Sequence, residues 1–231
     1  MNTLTHFRLC PRSRSIRLAL AEAELAFGLH EEQPWQWRPE FLALNPAGEL
    51  PVLSLASGPV ISGSYAIAEF IAEGAGGDRD GGHALDLFPG DATMRAEVRR
   101  LVDWFHGKMD REVTRELLIE KIYSQARVGP RPVPDAELLR AVRANLRYHM
   151  SYLDHLSHQR SWLAGESASF ADLAAAAHLS VLDYLGEVHW EQHQATQAWY
   201  ARVKSRPSFR PLLADRLPGL PPPAHYADLD F

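Results

Sequence analysis

The stretch Asn45-Pro46-Ala47-Gly48-Glu49-Leu50-Pro51-Val52-Leu53 constrains this chain more than any other. It reads as a turn, then a proline, then an apolar strand. Pro51 falls at the strand's first position, one of the few places where a sheet tolerates proline. An X-Pro bond can be held cis there at a cost of only about 0.5–1 kcal/mol. Such a kink is expected to expose the backbone N–H and C=O of Val52 at the sheet's end, where an extended peptide-like ligand pairs as an extra strand. An ordinary trans-proline turn is the plainer reading of the same residues.

Before this stretch, Leu4 to Leu9 reads as a first strand. Pro11 suits the first helical position with Cys10 as the cap before it. Ile16, Ala19, Leu20 and Ala23 follow on one apolar face. Phe27 to Glu31 is a second short strand. After Pro51, Val52 to Leu55 and Val60-Ile61 form a hairpin turning at Ser57-Gly58-Pro59, and Ser62-Gly63-Ser64 opens a helix through Tyr65, Ile67, Phe70 and Ile71. The order β-α-β-α-β-β-α is the thioredoxin arrangement, placed at residues 1–75. A Gly/Asp-rich span at 76–91 reads as a linker.

Residues 92–216 read as all-helical. Met94, Val98, Leu101, Val102, Phe105, Met109 and Val113 repeat at three and four, predicting a long amphipathic helix. A proline-broken stretch, Val128 to Pro134, separates it from a second helix over Asp135 to Leu156. Ser169-Phe170-Ala171-Asp172 heads the most apolar helix, Leu173 to Leu185, with a capping-box-like start in which Asp172 stands for the usual Glu. The tail, 217–231, is blocked from helix by its prolines, and Pro221 to Pro223 favour an extended path.

Composition closes off several function classes. With 46% hydrophobic and 23% charged residues the chain is of the soluble globular kind. A net charge of -5 argues against a nucleic-acid partner. No apolar run approaches the ~18–20 residues that cross a bilayer, so no direct membrane insertion is expected. The single cysteine excludes an internal disulfide and fits a reducing cytoplasm. The 11 histidines show no metal-ligand spacing, so no metal site is expected.

Four motifs in order, Cys10-Pro11-Arg12-Ser13, Glu49-Leu50-Pro51-Val52-Leu53, Ser64-Tyr65-Ala66-Ile67 and Ser169-Phe170-Ala171-Asp172, resemble the glutathione transferase superfamily over nearly the whole chain. The resemblance implies an α/β thioredoxin-like N-terminal domain, an all-α C-terminal domain and a homodimer. It implies that Pro51 is cis, that Val52 pairs the cysteinyl part of glutathione, and that Ser64 holds the γ-glutamyl carboxylate at a helix N-terminus. In an enzyme of this kind Cys10, beside Arg12 and Arg14, would carry a lowered thiol pKa, or Ser13 or Ser15 would donate to the bound thiolate. All three residues equally suit helix capping. One departure stands out: Gly63 replaces the family's Glu, and losing one charge-assisted hydrogen bond costs about 1.5–3 kcal/mol. Leu50, Pro51, Val52, Gly63 and Ser64 are therefore expected to outline a vestigial glutathione site, with no cofactor and no catalytic residue at work.

The ending Pro221 to Phe231, with Pro34-Trp35-Gln36-Trp37 and Ser62-Gly63-Ser64-Tyr65, resembles the transferase-fold division proteins of alphaproteobacteria, which bind the tubulin-like polymer FtsZ. That resemblance implies a cytoplasmic adaptor at the division site, a dimer that bridges or bends FtsZ filaments through two equal surfaces. The partner contacts expected on it are Trp35, Trp37, Arg127, Arg131, His225, Tyr226, Asp228, Asp230 and Phe231. The tryptophans also suit packing between the domains, the arginines a solvated loop, and the tail a strap with Tyr226 and Phe231 buried. The alternative is a working transferase that conjugates or reduces small electrophiles with glutathione.

Overall fold

The computed structural model describes residues 1–74, 85–124 and 133–229. Strand β1 (Asn2–His6) runs parallel to β2 (Phe27–Glu31). Parallel neighbours need a crossover, and α1 (Pro11–Glu22) supplies it. β3 (Val52–Ser54) pairs antiparallel with β1 and with β4 (Val60–Ser62), giving the order β2-β1-β3-β4. A single 3-10 turn (Pro34–Gln36) and α2 (Pro39–Leu44) carry the chain from β2 to β3, and α3 (Ser64–Ala72) follows β4. The first strand stops at His6, short of the expected Leu9. Cys10 N–H bonds back to the Phe7 carbonyl (2.9 Å), a turn that delivers Pro11 to the helix start.

The second half is helical. Asp91 caps α4 (Ala92–Asp103), its side chain accepting from Met94 N–H at 2.9 Å. The rod then runs on through wide-turned π-helix at Trp104–Thr114, α5 (Arg115–Leu118) and more π-helix at Ile119–Tyr123. There Ser124 N–H reaches five residues back to Ile119 O (2.9 Å). The apolar spacing predicts one long helix, and Val98, Leu101, Val102, Phe105, Met109 and Val113 are all fully buried along it. The wide turns were not legible in that spacing.

α6 (Ala136–Gln159), α7 (Phe170–Tyr184), α8 (Gln194–Lys204) and α9 (Arg210–Leu213) complete the domain. Asp172 does close the capping box despite its short side chain: its Oδ2 accepts from Ser169 N–H at 2.9 Å. Its Oδ1 takes Leu163 N–H and the Trp199 indole, each at 2.9 Å. Burial pushes this carboxyl up, opposed by those same donors. α7 is buried along its whole length because α1 covers it on the N-terminal side. A single apolar cluster runs from Leu4, Ile16 and Leu20 through Phe105 to Phe170 and Leu182, so the two domains share a core. Of the 76–91 linker, residues 76–84 lie outside the described residues, while Leu87 and Phe88 are buried in that core.

Candidate groove and tail seam

Two regions meet along α1. The first is the groove framed by Pro51 and the N-termini of α1 and α3. The Leu50–Pro51 bond is cis. Val52 is nevertheless not the residue left open. It stands in register with Thr5 on one side and Ser62 on the other. A strand residue directs its N–H and C=O to the same side, so whichever side Val52 faces, a strand is already there. Leu50, ahead of the cis bond, has no backbone hydrogen bond among the described residues. The open pair for a peptide-like ligand therefore belongs to Leu50, a correction to the sequence expectation. Ser64 heads α3 and is buried; Gly63 before it has φ 89° with open space where a side chain would begin.

The thiol chemistry also differs from expectation. Cys10 stands at the N-cap of α1, and burial pushes its thiol up rather than down, opposed by the side chain and backbone of Ser13. Arg14 is not beside it but points to the opposite side of α1. Arg12 stays on the groove side, its guanidinium donating to His106 O at 2.7 Å and lying 3.4 Å from both Glu49 and Asp110. Its Nε is buried without a hydrogen-bond partner. Burial raises Asp110 to about 6, against the pull of Arg12.

Ser15 is committed to another task. Its hydroxyl donates to Arg12 O (2.8 Å), so it must accept from His106 Nε2 at 3.0 Å. With both imidazoles neutral, the rest of a buried chain follows: His106 Nδ1 accepts from His178 Nε2 (3.1 Å), and His178 Nδ1 accepts from Thr114 Oγ1 (2.9 Å). Burial keeps both neutral, holding His106 down to about 3 and His178 well below the usual range. No sequence signal marked this relay, because its members lie on α1, the π-helix and α7.

The second region is the seam between the domains, closed by the tail. Arg14 is fully buried there. Its Nε donates to Arg8 O (2.6 Å), its Nη1 to Ser180 Oγ (2.8 Å) and Tyr226 Oη (3.0 Å), and its Nη2 to Asp215 (3.3 Å). Arg17 shares the same carboxylate at 2.7 Å. After the extended prolines the tail makes a 3-10 turn at Ala224–Ala227, which buries Tyr226 completely. His225 reaches Asp183 at 3.0 Å.

The comparisons fit this geometry. Residues 9–73 match the glutathione S-transferase N-terminal domain and residues 118–207 the C-terminal domain. FtsZ-localized protein A of Caulobacter vibrioides is 47% identical over 99% of this chain and 98% of its own length. The chain belongs to the glutathione S-transferase family. Among solved structures, a glutathione S-transferase from Sinorhizobium meliloti superposes with a TM-score of 0.94 at 47% identity, covering both chains entirely. FzlA from C. crescentus superposes with a TM-score of 0.91, also at 47% identity, over 100% of this chain and 99% of that one.

Within this transferase fold the expected partner residues scatter. Trp37 is 59% exposed, at φ 50°, with its ring lying against Gly48. Trp35 instead stacks on Tyr123 (4.7 Å between centroids) and meets Phe7 edge-on at 5.1 Å, a contact between the domains. It lines a cavity of about 470 Å³ with Phe7, Arg8, Lys121, Leu217 and Leu220. His225 and Asp228 are exposed, whereas Tyr226, expected to meet a partner, is spent inside. Arg127, Arg131, Asp230 and Phe231 lie outside the described residues. Among the described residues no helix is long and apolar enough to cross a membrane, and no cluster suits a metal ion.

Proposed function

We propose that this chain is a non-catalytic glutathione S-transferase-fold adaptor. It binds FtsZ polymers as a homodimer at the division site, curving or bundling filaments and so promoting septal constriction. The observation that carries the reading is the 47% identity over 99% of the chain to a protein named for its localisation with FtsZ. The groove supports it from the other side. Leu50 and Ser64 would still hold the cysteinyl backbone and the γ-glutamyl carboxylate of glutathione, but residue 63 offers no carboxylate. The Cys10 thiol is pushed up, and Ser15 is tied into the histidine relay. The residues fit the tripeptide's backbone and not the activation of its thiol, so no cofactor is assigned.

Trp37, His225 and Asp228 are the accessible side chains that would meet the filament, with the end of the tail beyond them. Exposed tryptophan is the residue type most often found at the centre of interfaces. Two such surfaces on a dimer let weak contacts add through avidity. The test is co-sedimentation of the purified protein with FtsZ and GTP. Parent protein is expected to pellet with polymer. Trp37→Ala, or deletion of Asp228 to Phe231, is expected to weaken pelleting several-fold without changing the unfolding midpoint. Full co-pelleting by both variants would overturn the site assignment, and no pelleting by the parent would overturn the function.

A second reading, a working transferase, is favoured by the cis Leu50–Pro51 bond, by the buried Arg12 Nε that lacks a partner, and by Ser13 standing against the Cys10 thiol. Saturable binding of glutathione with turnover of a generic electrophile, lost on Ser13→Ala or Cys10→Ala, would establish it.

A further inference from the structure

We propose that Tyr226 latches the C-terminal tail onto Arg14, and that this latch positions Asp228 and Leu229 for filament docking. The second half rests on the adaptor reading above. The first half stands on geometry alone.

Arg14 and Arg17 face one carboxylate, Asp215, at 3.3 and 2.7 Å. Two buried guanidiniums against one acid leave Arg14 short of acceptors, and an arginine cannot shed its charge to escape. Four of its five N–H groups are satisfied, by Arg8 O, Ser180 Oγ, Asp215 and Tyr226 Oη. Only the last of these comes from the tail. The Tyr226 hydroxyl accepts from Arg14 and passes its own proton to Leu212 O (3.1 Å), so both its roles are used.

The same tyrosine anchors the strap. Its ring meets Tyr184 edge-on, with 5.2 Å between centroids. The Tyr184 hydroxyl in turn accepts from Leu217 N–H (2.8 Å) and donates to Leu220 O (2.7 Å). The tail is thus pinned near both ends of its described length. Tyr226 is the last buried side chain described; Ala227, Asp228 and Leu229 are exposed. Where Asp228 and Leu229 emerge is set by where this ring is held. Without the hydroxyl, an Arg14 N–H and the Leu212 carbonyl each lose a partner in the docked state, whereas in the undocked state water serves both.

The experiment pairs hydrogen–deuterium exchange of the full chain with FtsZ co-sedimentation. Tyr226→Phe is expected to speed exchange over residues 217–229 about tenfold or more, to leave the middle of α7 protected, and to weaken co-pelleting nearly as far as deletion of Asp228 to Phe231 does. His225→Ala, which spares Arg14, is expected to loosen the same segment less; an equal or larger effect would overturn the primacy of the Arg14 contact and serves as the check if Tyr226→Phe disturbs the whole fold. Unchanged tail exchange in Tyr226→Phe overturns the latch. Faster tail exchange with full co-pelleting, while the deletion pellets poorly, overturns the positioning role. If the deletion itself pellets normally, the docking reading falls and the positioning role with it, while tail exchange still decides the latch.

Discussion

Arg12 and Arg14 sit two residues apart on one helix and have opposite fates. Arg14 turns into the seam, fully buried, and finds Arg8, Ser180, Asp215 and Tyr226 converging on it. Arg12 turns into the groove, its side chain 32% exposed, with loose contacts to Glu49 and Asp110 at 3.4 Å and an Nε that meets nothing. Buried polar groups are costly when unpaired, so an unpaired one marks either a ligand's place or a place no longer in use. The donors of Arg14 are nearly all taken; those of Arg12 are not.

The largest effect that tests this contrast is loss of the seam carboxylate. Asp215→Ala leaves two buried guanidiniums unpaired, and breaking a buried pair from one side costs about 3–5 kcal/mol. The groove counterpart, Glu49→Ala, removes an acid that is 66% exposed and 3.4 Å from Arg12. An exposed pair of that kind is worth about 0.2–1 kcal/mol, so the variant is expected to lie at the low end. Urea unfolding of both variants checks the pair. Similar small losses for the two would break the comparison, since the seam would then owe its stability to apolar packing alone.

The next effect comes from the relay beside the groove. His106 is neutral in the folded chain down to about pH 3 and titrates near 6.5 once unfolded. Its folded value is lowered, so its contribution is present above pH 6.5 and drains away as pH falls below that. By pH 5 the unfolded chain gains about 2 kcal/mol from this one group. His178 and His6, both pushed down by burial, act in the same direction. Asp110, raised to about 6, acts oppositely: between pH 6 and 4 it takes up a proton in the folded chain first and returns about 1 kcal/mol by pH 5. The net expectation is a loss of about 2 kcal/mol or more from pH 7.5 to 5, steeper in Asp110→Asn. A flat stability profile across that window would mean the relay carries charge.

Much of this was legible in the sequence. Short alternating strands, Pro11 after Cys10 and the three-and-four spacing from Val98 to Val113 are local signals, and each element they announce is present. Asp172 was legible as a cap for the same reason. What stayed hidden depends on which way a side chain points after distant segments meet. Nothing around Arg14 says that it turns away from Cys10, because that is decided by Ser180, Asp215 and Tyr226, all more than 160 residues on. The histidine relay is hidden likewise, with Ser15 and His178 on helices from different domains. Val52 was misread because the proline kink is local, whereas the strands on either side of Val52 are set by the sheet order.

The smallest effect sharpens the groove side. Gly63→Glu restores the family's acid where a side chain meets no atom within 4 Å. Residue 63 sits at φ 89° and ψ 144°, territory that only glycine enters freely. A side chain there is expected to lower stability by about 1–3 kcal/mol. That strain is present with or without ligand, so it does not subtract from affinity. The regained charge-assisted hydrogen bond is worth about 1.5–3 kcal/mol, so binding of glutathione, followed by calorimetry, is expected to tighten roughly ten- to a hundredfold as the chain itself becomes less stable. Tightening with no turnover of an electrophile would locate the missing function in the thiol's surroundings, Cys10 and Ser15, rather than in the peptide's grip. If affinity stays unchanged while stability falls, the groove has lost more than one carboxylate, and the contrast with the seam becomes sharper still.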